Sequence, residues 1–579
     1  MPKRGNRNNY YCPSLIRRIL FFLLFAFAMV SGVVANHIFV NDTIKLHQKV
    51  YVGDNLAPGD TLFLESGHRD QLLLKNIVGE LYQPITIINT TGYVEIETDS
   101  GMYGIAIRAS RYLKLSGTGD EHHKRGIVIK RVGRKNGVGV TFEKLTSDFE
   151  MDHLEISNIS FAAVIAKSDP DSSLKSSRDS FLLSNAIFHD NYIHDIEAGE
   201  AFYIGHSKYK TGAIVHRNGH DTVVMPHLLK NVKVYNNLIE NTGFDGIQVS
   251  SANEDCAIYN NEIHYDSQAE HYGQMSGIIM GGGSRCDCYN NKIYDGKGTG
   301  ILMFGLGNTK IYNNLIIAAG ANYQVADTSI LQHGILVSDK SMEDSSFVHV
   351  LNNTIVDPKS DGIRFTSSKS LHNKIFNNLI AEPGSFSTYE WDNTAYSTRD
   401  AYIYISNFSR GHVDTTRNIG YRREQDAPFK RGVDGEYYEL KDSCYLVDVG
   451  EDLSGLHIRT DIDGNKRPTG MGYDIGAYES SFTNYDSYPL DISIVNVYPN
   501  PAINHTNIKY EIERDGLVSL LIIDIHGRVV KVLVQILQYR GTYTVKLNTR
   551  DLSNRMLFVY FDFEGEINVQ KLMIIENSL

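Results

Sequence analysis

Apolar residues recur along this chain in short alternating runs that fit neither a long helix nor an ordinary hairpin sheet. The stretch VKVYNNLIENTGFDGIQV at 232–249 holds two such runs, split by an Asn pair and closed by a turn. The phrase returns as AIYNNEI at 257–263, CYNNKI at 288–293, KIYNNLI at 310–316, VLNNTI at 350–355 and KIFNNLI at 374–380, with a looser copy, IFHDNYI, at 187–193. Between the second Asn of successive copies (Asn191, Asn237, Asn261, Asn291, Asn314, Asn353, Asn378) the intervals are 46, 24, 30, 23, 39 and 25 residues. Short intervals near 24, with 46 close to two units, signal a stacked architecture. Leucine-rich repeats share the period, but their Leu-x-x-Leu-x-Leu signature is missing.

The columns of the repeat define the coil. Three places before the second Asn stand Val234, Ile258, Cys288, Ile311, Val350 and Ile375; two places after it stand Ile239, Ile263, Ile293, Ile316, Ile355 and Ile380. These read as interior stacks with a corner between them. Asn tolerates left-handed backbone, and its amide can bond backbone groups or the Asn of the next coil. A second strand follows the pattern x-Gly-Ile-x-Val: DGIQV at 245–249, SGIIM at 276–280, TGILM at 299–303, HGILV at 333–337 and DGIRF at 361–365. Period-2 alternation points Ile247 and Val249 inward and Gln248 outward. Two or three short strands per coil, without helical patterning, predict an all-β chain built as a right-handed parallel β-helix over 36–420. Looser copies extend the pattern upstream as PITIINTTGYVEIET, YGIAIRASRYLKLSGTG, RGIVIKRV, VGVTFEKL and MDHLEISNISFAAVIAK. Cys256 and Cys286 stack on adjacent coils, where a disulfide could form, and buried thiols are the expectation.

The ends of the chain differ in character. Lys3, Arg4, Arg7, Arg17 and Arg18 precede the apolar run ILFFLLFAFAMV, and GVVA ends at Ala35, so residues 1–35 read as a signal peptide. Residues 421–480 form a closing segment containing DIDGNKRP and DIGAYE, and 481–492 a linker. From 493 to 579 alternating strands predict a small β-sandwich. A formal charge of −12 argues against nucleic acid as a partner. In DIDGN, Asp and Asn oxygens alternate as in a Ca²⁺ loop, but the distal bidentate Glu is missing, so a turn sealing the last coil is expected. No cofactor is required by this reading, and Ca²⁺ binding is compatible with it.

Two family resemblances rest on these motifs. Over 37–480 the chain resembles the pectate-lyase-like superfamily of secreted β-helix proteins, in which the DIDGNKRP–DIGAYE closing pattern is common. Neither the arginine context of pectate lyases nor the Asp-Pro-His-Asp of alginate epimerases is found; SDPDSS at 168–173 is not that motif. The last 80 or so residues are similar to the type IX secretion sorting domain, by Tyr498–Pro501, the Asp524–Arg528 turn and the terminal KLMII, with a departure at Asn554–Leu557. The resemblance implies the type IX secretion machinery as a partner, passage across an outer membrane, and a final place outside the cell or on its surface. A monomer is expected.

Candidate chemistry follows from aligning FAAVIAK (161–167), EAFYIGH (200–206) and DGIQVSS (245–251) as neighbouring coils. That brings Lys167, Glu200, Tyr203, Asp245 and Gln248 into one expected patch, with Asp169 and His206 at its rim. In later coils the mid-strand positions turn apolar as Ile279, Leu302 and Leu336, Arg364 excepted. The 46-residue interval reflects a long insertion, 206–227, rich in Lys and His, carrying Lys208, Lys210, His216, Arg217, His220 and His227 against Asp221. A basic loop beside a polar patch suits an anionic ligand; its histidines show no zinc-pair spacing. For β-elimination on a uronate polymer, Lys167 or Arg217 would neutralise the carboxylate and His216, His220, Tyr203 or Lys167 would take the proton. The alternatives are a glycoside hydrolase using Glu200 and Asp245, and an adhesin without turnover. Since Asp245 and Asp361 both precede Gly, an Asp there is also read as a turn cap.

Overall fold

The computed structural model describes residues 41–575, apart from 321–330, 385–387, 392–393, 398–400, 407–408, 432–435, 443, 482–492, 513–514, 525–528, 551, 553–555 and 564–565. The expected signal peptide, most of the linker and the Gly-Arg end of the Asp524–Arg528 turn lie outside the described residues. Three parallel sheets wind around one axis. Face 1 has 13 described strands, from Asn41–Ile44 to Val413–Thr416; face 2 has 12, from Gly67–Arg69 to Ile419–Tyr421; face 3 has 12, from Val50–Val52 to Ile403–Ile405. Each regular coil runs face 1, Asn corner, face 2, turn, face 3, loop. The right-handed parallel β-helix is therefore the fold, as the repeat required.

The Asn pair divides its work. The first member takes the left-handed conformation in coil after coil: Asn236, Asn260, Asn290, Asn313, Asn352 and Asn377 all have φ between 50° and 57°. The second member is buried and forms a ladder. Asn237 Nδ2 donates to Asn261 Oδ1 at 2.9 Å, Asn261 to Asn291 at 3.0 Å, Asn291 to Asn314 at 3.0 Å, and Asn314 to Asn353 and Asn353 to Asn378 at 2.9 Å. Each Oδ1 also accepts the backbone N–H of the preceding coil's Asn, and each Nδ2 reaches a carbonyl of the preceding coil or of its own turn. The ladder runs from Asn191 to Asn418, the latter in TTRNIG, a copy that lacks the first Asn. The flanking Val, Ile and Cys columns are fully buried and form one continuous core. Outside it, Tyr235, Tyr259, Tyr289 and Tyr312 stack ring on ring at 4.8–4.9 Å.

Two expectations need correction. Cys256 and Cys286 are disulfide-bonded; their register as direct neighbours on face 1 brings the Cα atoms to 4.3 Å. Cys288, one alternation further, is the buried free thiol. The closing segment does more than seal the last coil. It lies along the Asn corner, where Asn313, Asn352 and Asn377 donate side-chain hydrogen bonds to the carbonyls of Thr460, Asp474 and Glu451. A fully buried Arg467–Glu479 pair at 2.8 Å anchors it, with Arg467 also donating to Asn313. Asp461 of DIDGN accepts N–H donors from Asp463, Asn465 and Glu479, so its carboxylate ties a turn.

The C-terminal unit packs a three-stranded and a four-stranded antiparallel sheet around Tyr510, Phe561 and Phe563. Asn500 of the YPNP motif donates to the Lys571 carbonyl and accepts from Met573 N–H, joining the two ends of the sorting motif.

Replacing one rung of the ladder tests its weight. Asn291→Ala removes the acceptor of the buried Asn261 N–H and a donor to the Ile258 and Tyr289 carbonyls, so a loss of about 2–4 kcal/mol is expected in chemical denaturation. Tyr289→Phe on the outward stack should cost well under about 1 kcal/mol.

Candidate active site

The outer surface of face 3 is the floor of a cleft of about 700 Å³. Strand register defines its layout. Ala106, Thr141, Ile165, Tyr203 and Gln248 occupy one mid-strand column; Arg108, Glu143 and Lys167 share the column that follows the strand. One wall carries Met102, Tyr103, Asn136, Val138 and Phe161, and the other Arg108, Glu143, Lys167 and Asp169. Arg108 Nε donates to Glu143 at 2.6 Å. Lys167 Nζ lies 3.1 Å from Asp169 Oδ1 and 4.7 Å from the centre of the Tyr203 ring in the next coil. Cleft chemistry thus begins two coils upstream of the sequence-derived patch, and Arg108, Thr141, Glu143 and Phe161 were missed. Aligning YGIAIR, VGVTFE and AAVIAK on their shared strand would have revealed the Arg108–Glu143–Lys167 column.

The expected patch itself is split. Lys167 lines the cleft and Tyr203 stands next to it in the following coil, whereas Glu200 and Asp245 are fully buried at the opposite end of their strands. They lie at the turn from face 2 to face 3, beside the loop 265–275. That loop runs back over the preceding turn, with N–H donors of Ser267, Gln268 and Ala269 on the carbonyls of Phe244, Thr242 and Gly243. Its Gln274 donates to Glu200 Oε1 at 2.9 Å, and its Asp266 is buried as well, held by Ser267 Oγ at 2.6 Å. A Cβ at Gly296 would fall 1.8 Å from Asp266 Oδ2, so glycine leaves that carboxyl its space. Glu200 Oε2, Asp266 Oδ2 and both Asp245 oxygens are buried without a well-formed hydrogen bond. Asp245 therefore caps no turn. Burial pushes Glu200 up to about 7 and Asp266 up to about 6, and it raises Asp245 with help from the charges of Glu200 and Asp266. Gln248, expected to line the groove, is 5% exposed with its Nε2 unpartnered.

The insertion 206–227 also departs from expectation. Ala213–Arg217 and His220–Val224 form an antiparallel hairpin whose Asn218-Gly219 turn has both φ positive, the two-residue turn that matches strand twist. His216 meets Asp221 across this hairpin at 3.1 Å in open solvent, and Arg217 and His220 flank its tip. At its root Tyr209 packs under Arg178 and Lys210 donates to the Lys340 carbonyl, so the insertion leans over later coils. No polar contact among the described residues joins His216, Arg217 or His220 to the cleft. His227 is a brace: Nε2 accepts the Ser168 N–H at 3.0 Å and Nδ1 donates to the Leu228 carbonyl at 3.1 Å. His206 is buried 3.4 Å from Asp169, and burial, then the Lys167 charge, lowers its pKa.

Two further groups offer three potential metal ligands each. His68, Glu95 and Glu97 sit on the surface of face 2; Glu150, Asp152 and His189 sit on face 1. In the second, the Lys114 ammonium already lies 2.8 Å from Asp152 and pairs with Glu150, filling the place of a cation.

Comparison with known proteins bears on the fold and on export. Residues 230–407 match the family of right-handed β-helix regions, and residues 496–576 match the secretion system C-terminal sorting domain. No curated protein matches the chain. Among solved structures it is similar to a GH136 lacto-N-biosidase from Eubacterium ramulus (12% identity, 63% of each chain, TM-score 0.44). It is also similar to the pectate lyase Pel9A (13%, 73% of this chain and 89% of that one, TM-score 0.38) and to an alginate lyase from a Paenibacillus species (14%, 54% and 93%, TM-score 0.36). These likenesses concern the winding of the chain alone. The sorting domain marks the protein for export to the cell surface or beyond and makes the secretion machinery its partner. Among the described residues no helix is long and apolar enough to cross a membrane.

The buried carboxyls predict a pH signature. An acid whose folded pKa is raised holds its proton in the native state after the unfolded chain has lost it, so stability falls as pH rises between the two values. For Glu200 that window runs from its ordinary 4.5 to about 7, at a cost on the order of 3 kcal/mol. Burial lowers the pKa of His206 and His227, which adds stability over part of the same window. The Glu200 contribution is therefore read as a difference: the melting temperature of Glu200→Gln should gain steadily on that of the wild type from pH 4.5 to 7, giving the variant a different slope. An unchanged slope in the variant would refute the assignment.

Proposed function

We propose that this exported protein is a polysaccharide lyase that cleaves a uronate-containing polymer lying along the face-3 cleft. The carrying observation is Lys167, an ammonium in the cleft wall that also carries a second cation, Arg108, and set 4.7 Å from the centre of the Tyr203 ring. Elimination needs a positive charge on the sugar carboxylate, which acidifies the proton on C5, and a base to remove that proton. Lys167 supplies the charge, and the Tyr203 oxygen beside it takes the proton. The electron pair forms the C4–C5 double bond, the C4–O bond breaks, and the departing oxygen takes a proton from solvent or from Tyr203. Every atom is supplied by substrate, side chains and water. Polar groups concentrate here and give way to Ile279, Leu302 and Leu336 on the same column downstream, a distribution that favours one reaction centre over a binding track.

A second reading is hydrolysis by Glu200 and Asp245. It is favoured by Glu200, which burial keeps protonated up to about 7, the state a general acid needs. It requires the loop 265–275 to swing aside, because both carboxyls lie fully buried next to it.

Incubating the full chain with anionic and neutral polysaccharides, and following both unsaturated uronate absorbance and reducing ends, separates these readings. On the lyase reading new absorbance appears, and Tyr203→Phe and Lys167→Ala each lower its rate by roughly 10²-fold or more. Reducing ends without absorbance, abolished by Glu200→Gln, would establish hydrolysis instead. Retention on a glycan with neither signal would make the protein an adhesin.

A further inference from the structure

The cations of the cleft are spaced in a way that selects among acidic polymers. Arg108, Glu143 and Lys167 occupy one register column in three consecutive coils. Adjacent coils are about 4.8 Å apart, so the two cations stand about 10 Å apart with a carboxylate midway. Both retain donors for a ligand: only Nε of Arg108 is engaged by Glu143, and Lys167 gives one of its three N–H bonds to Asp169. The facing wall, Met102, Tyr103, Asn136, Val138 and Phe161, carries no charge, and the floor between is Thr141 and Ile165. Lys75 continues the cationic column one coil further but lies outside the cleft.

An extended pyranose chain advances by about one coil spacing per sugar. Its carboxylates can meet Lys167 and Arg108 only at every second residue. A carboxylate on the intervening sugar would either confront Glu143 or be desolvated against Val138 and Phe161. Like-charge contact and unpaired burial both oppose that placement. An uncharged sugar suits the middle place, because its hydroxyls can donate to Glu143 and Thr141 while its apolar face covers Ile165.

We infer that the cleft takes an acidic polysaccharide in which a uronate alternates with an uncharged sugar, successive carboxylates meeting Lys167 and Arg108 and the uncharged unit lying beside Glu143. This rests on reading the cleft as the site of a uronate polymer, and it adds the charge pattern of that polymer. Glu143 becomes the residue that rejects homopolymeric uronates.

Affinity electrophoresis of the full chain tests this independently of turnover, using gels containing hyaluronan, an alternating uronate polymer, polygalacturonate, a homopolymer, or dextran as the neutral control. Hyaluronan should retard the protein at a roughly tenfold lower concentration than polygalacturonate, and dextran should not retard it. Glu143→Gln should strengthen polygalacturonate binding and narrow the gap to roughly threefold or less, while Arg108→Gln should weaken hyaluronan binding roughly tenfold. Arg108→Lys, which keeps the charge, should recover part of that loss, and matching melting curves would exclude misfolding. Equal or tighter binding of polygalacturonate, an unaltered preference in Glu143→Gln, or no retardation by either anionic polymer would overturn the inference. Preferential retardation without unsaturated product would overturn the proposed reaction and leave the inference standing. Elimination on polygalacturonate with no hyaluronan preference would do the reverse.

Discussion

A β-helix must turn a buried corner in every coil without leaving polar groups unpaired, and in this protein the Asn ladder meets that constraint. At each corner the backbone leaves one sheet and enters the next, so its N–H and C=O groups lose their strand partners inside the molecule. Orphaned groups there would cost on the order of 1–3 kcal/mol each. The first Asn supplies the left-handed turn, and the second closes the hydrogen-bond account with its amide, passing one bond to the coil above. Because each rung needs the next rung at one coil spacing, the ladder sets the axial register of all three faces. The closing segment uses the other member of each pair, binding the side chains of the first Asn in the last coils.

With the register held so firmly, variation is confined to the turns and loops, and function is built there. Two insertions frame the outward face of the third sheet. The 206–227 hairpin follows the strand; the 265–275 loop precedes one. The hairpin leans over later coils and stays exposed. The loop lies over the turns near Glu200 and Asp245, and burial there raises the pKa of both. Upstream of both insertions on the same face, the cleft has an uneven charge distribution, ionic on one wall and uncharged on the other. That asymmetry, more than the number of cations, gives the site its chemical selectivity.

Much of this was legible in the one-dimensional pattern. Period, inward Ile and Val columns, Asn corners and the x-Gly-Ile-x-Val strand all follow from local rules of backbone conformation and burial, and they place Lys167, Tyr203, Glu200 and Asp245 on neighbouring rows as found. The signals for the rest were present but ambiguous. The interval of 30 between Asn261 and Asn291 already contained the loop that flanks the carboxyls, yet length alone does not say over which residues a loop folds. YGIAIR and VGVTFE carried Arg108 and Glu143 in phase with Lys167, but their coils lack the Asn pair that fixes alignment by eye. Cys256 and Cys286 were seen to stack, and only their register as direct neighbours made them a disulfide.

The sequence by itself determined the solenoid, its repeat, its interior and its sorting tail, because each depends on interactions within one coil or between like positions of adjacent coils. Tertiary structure decided which polar residues meet solvent. Glu200 and Tyr203 are three residues apart, one in the turn before a strand and the other on it, yet one is fully buried and the other borders the cleft. That difference comes from a loop more than sixty residues downstream, whose Gln274 reaches back to Glu200. Exposure is set by what long loops cover, and loop paths depend on the whole surface rather than on the local alternation that the chain displays.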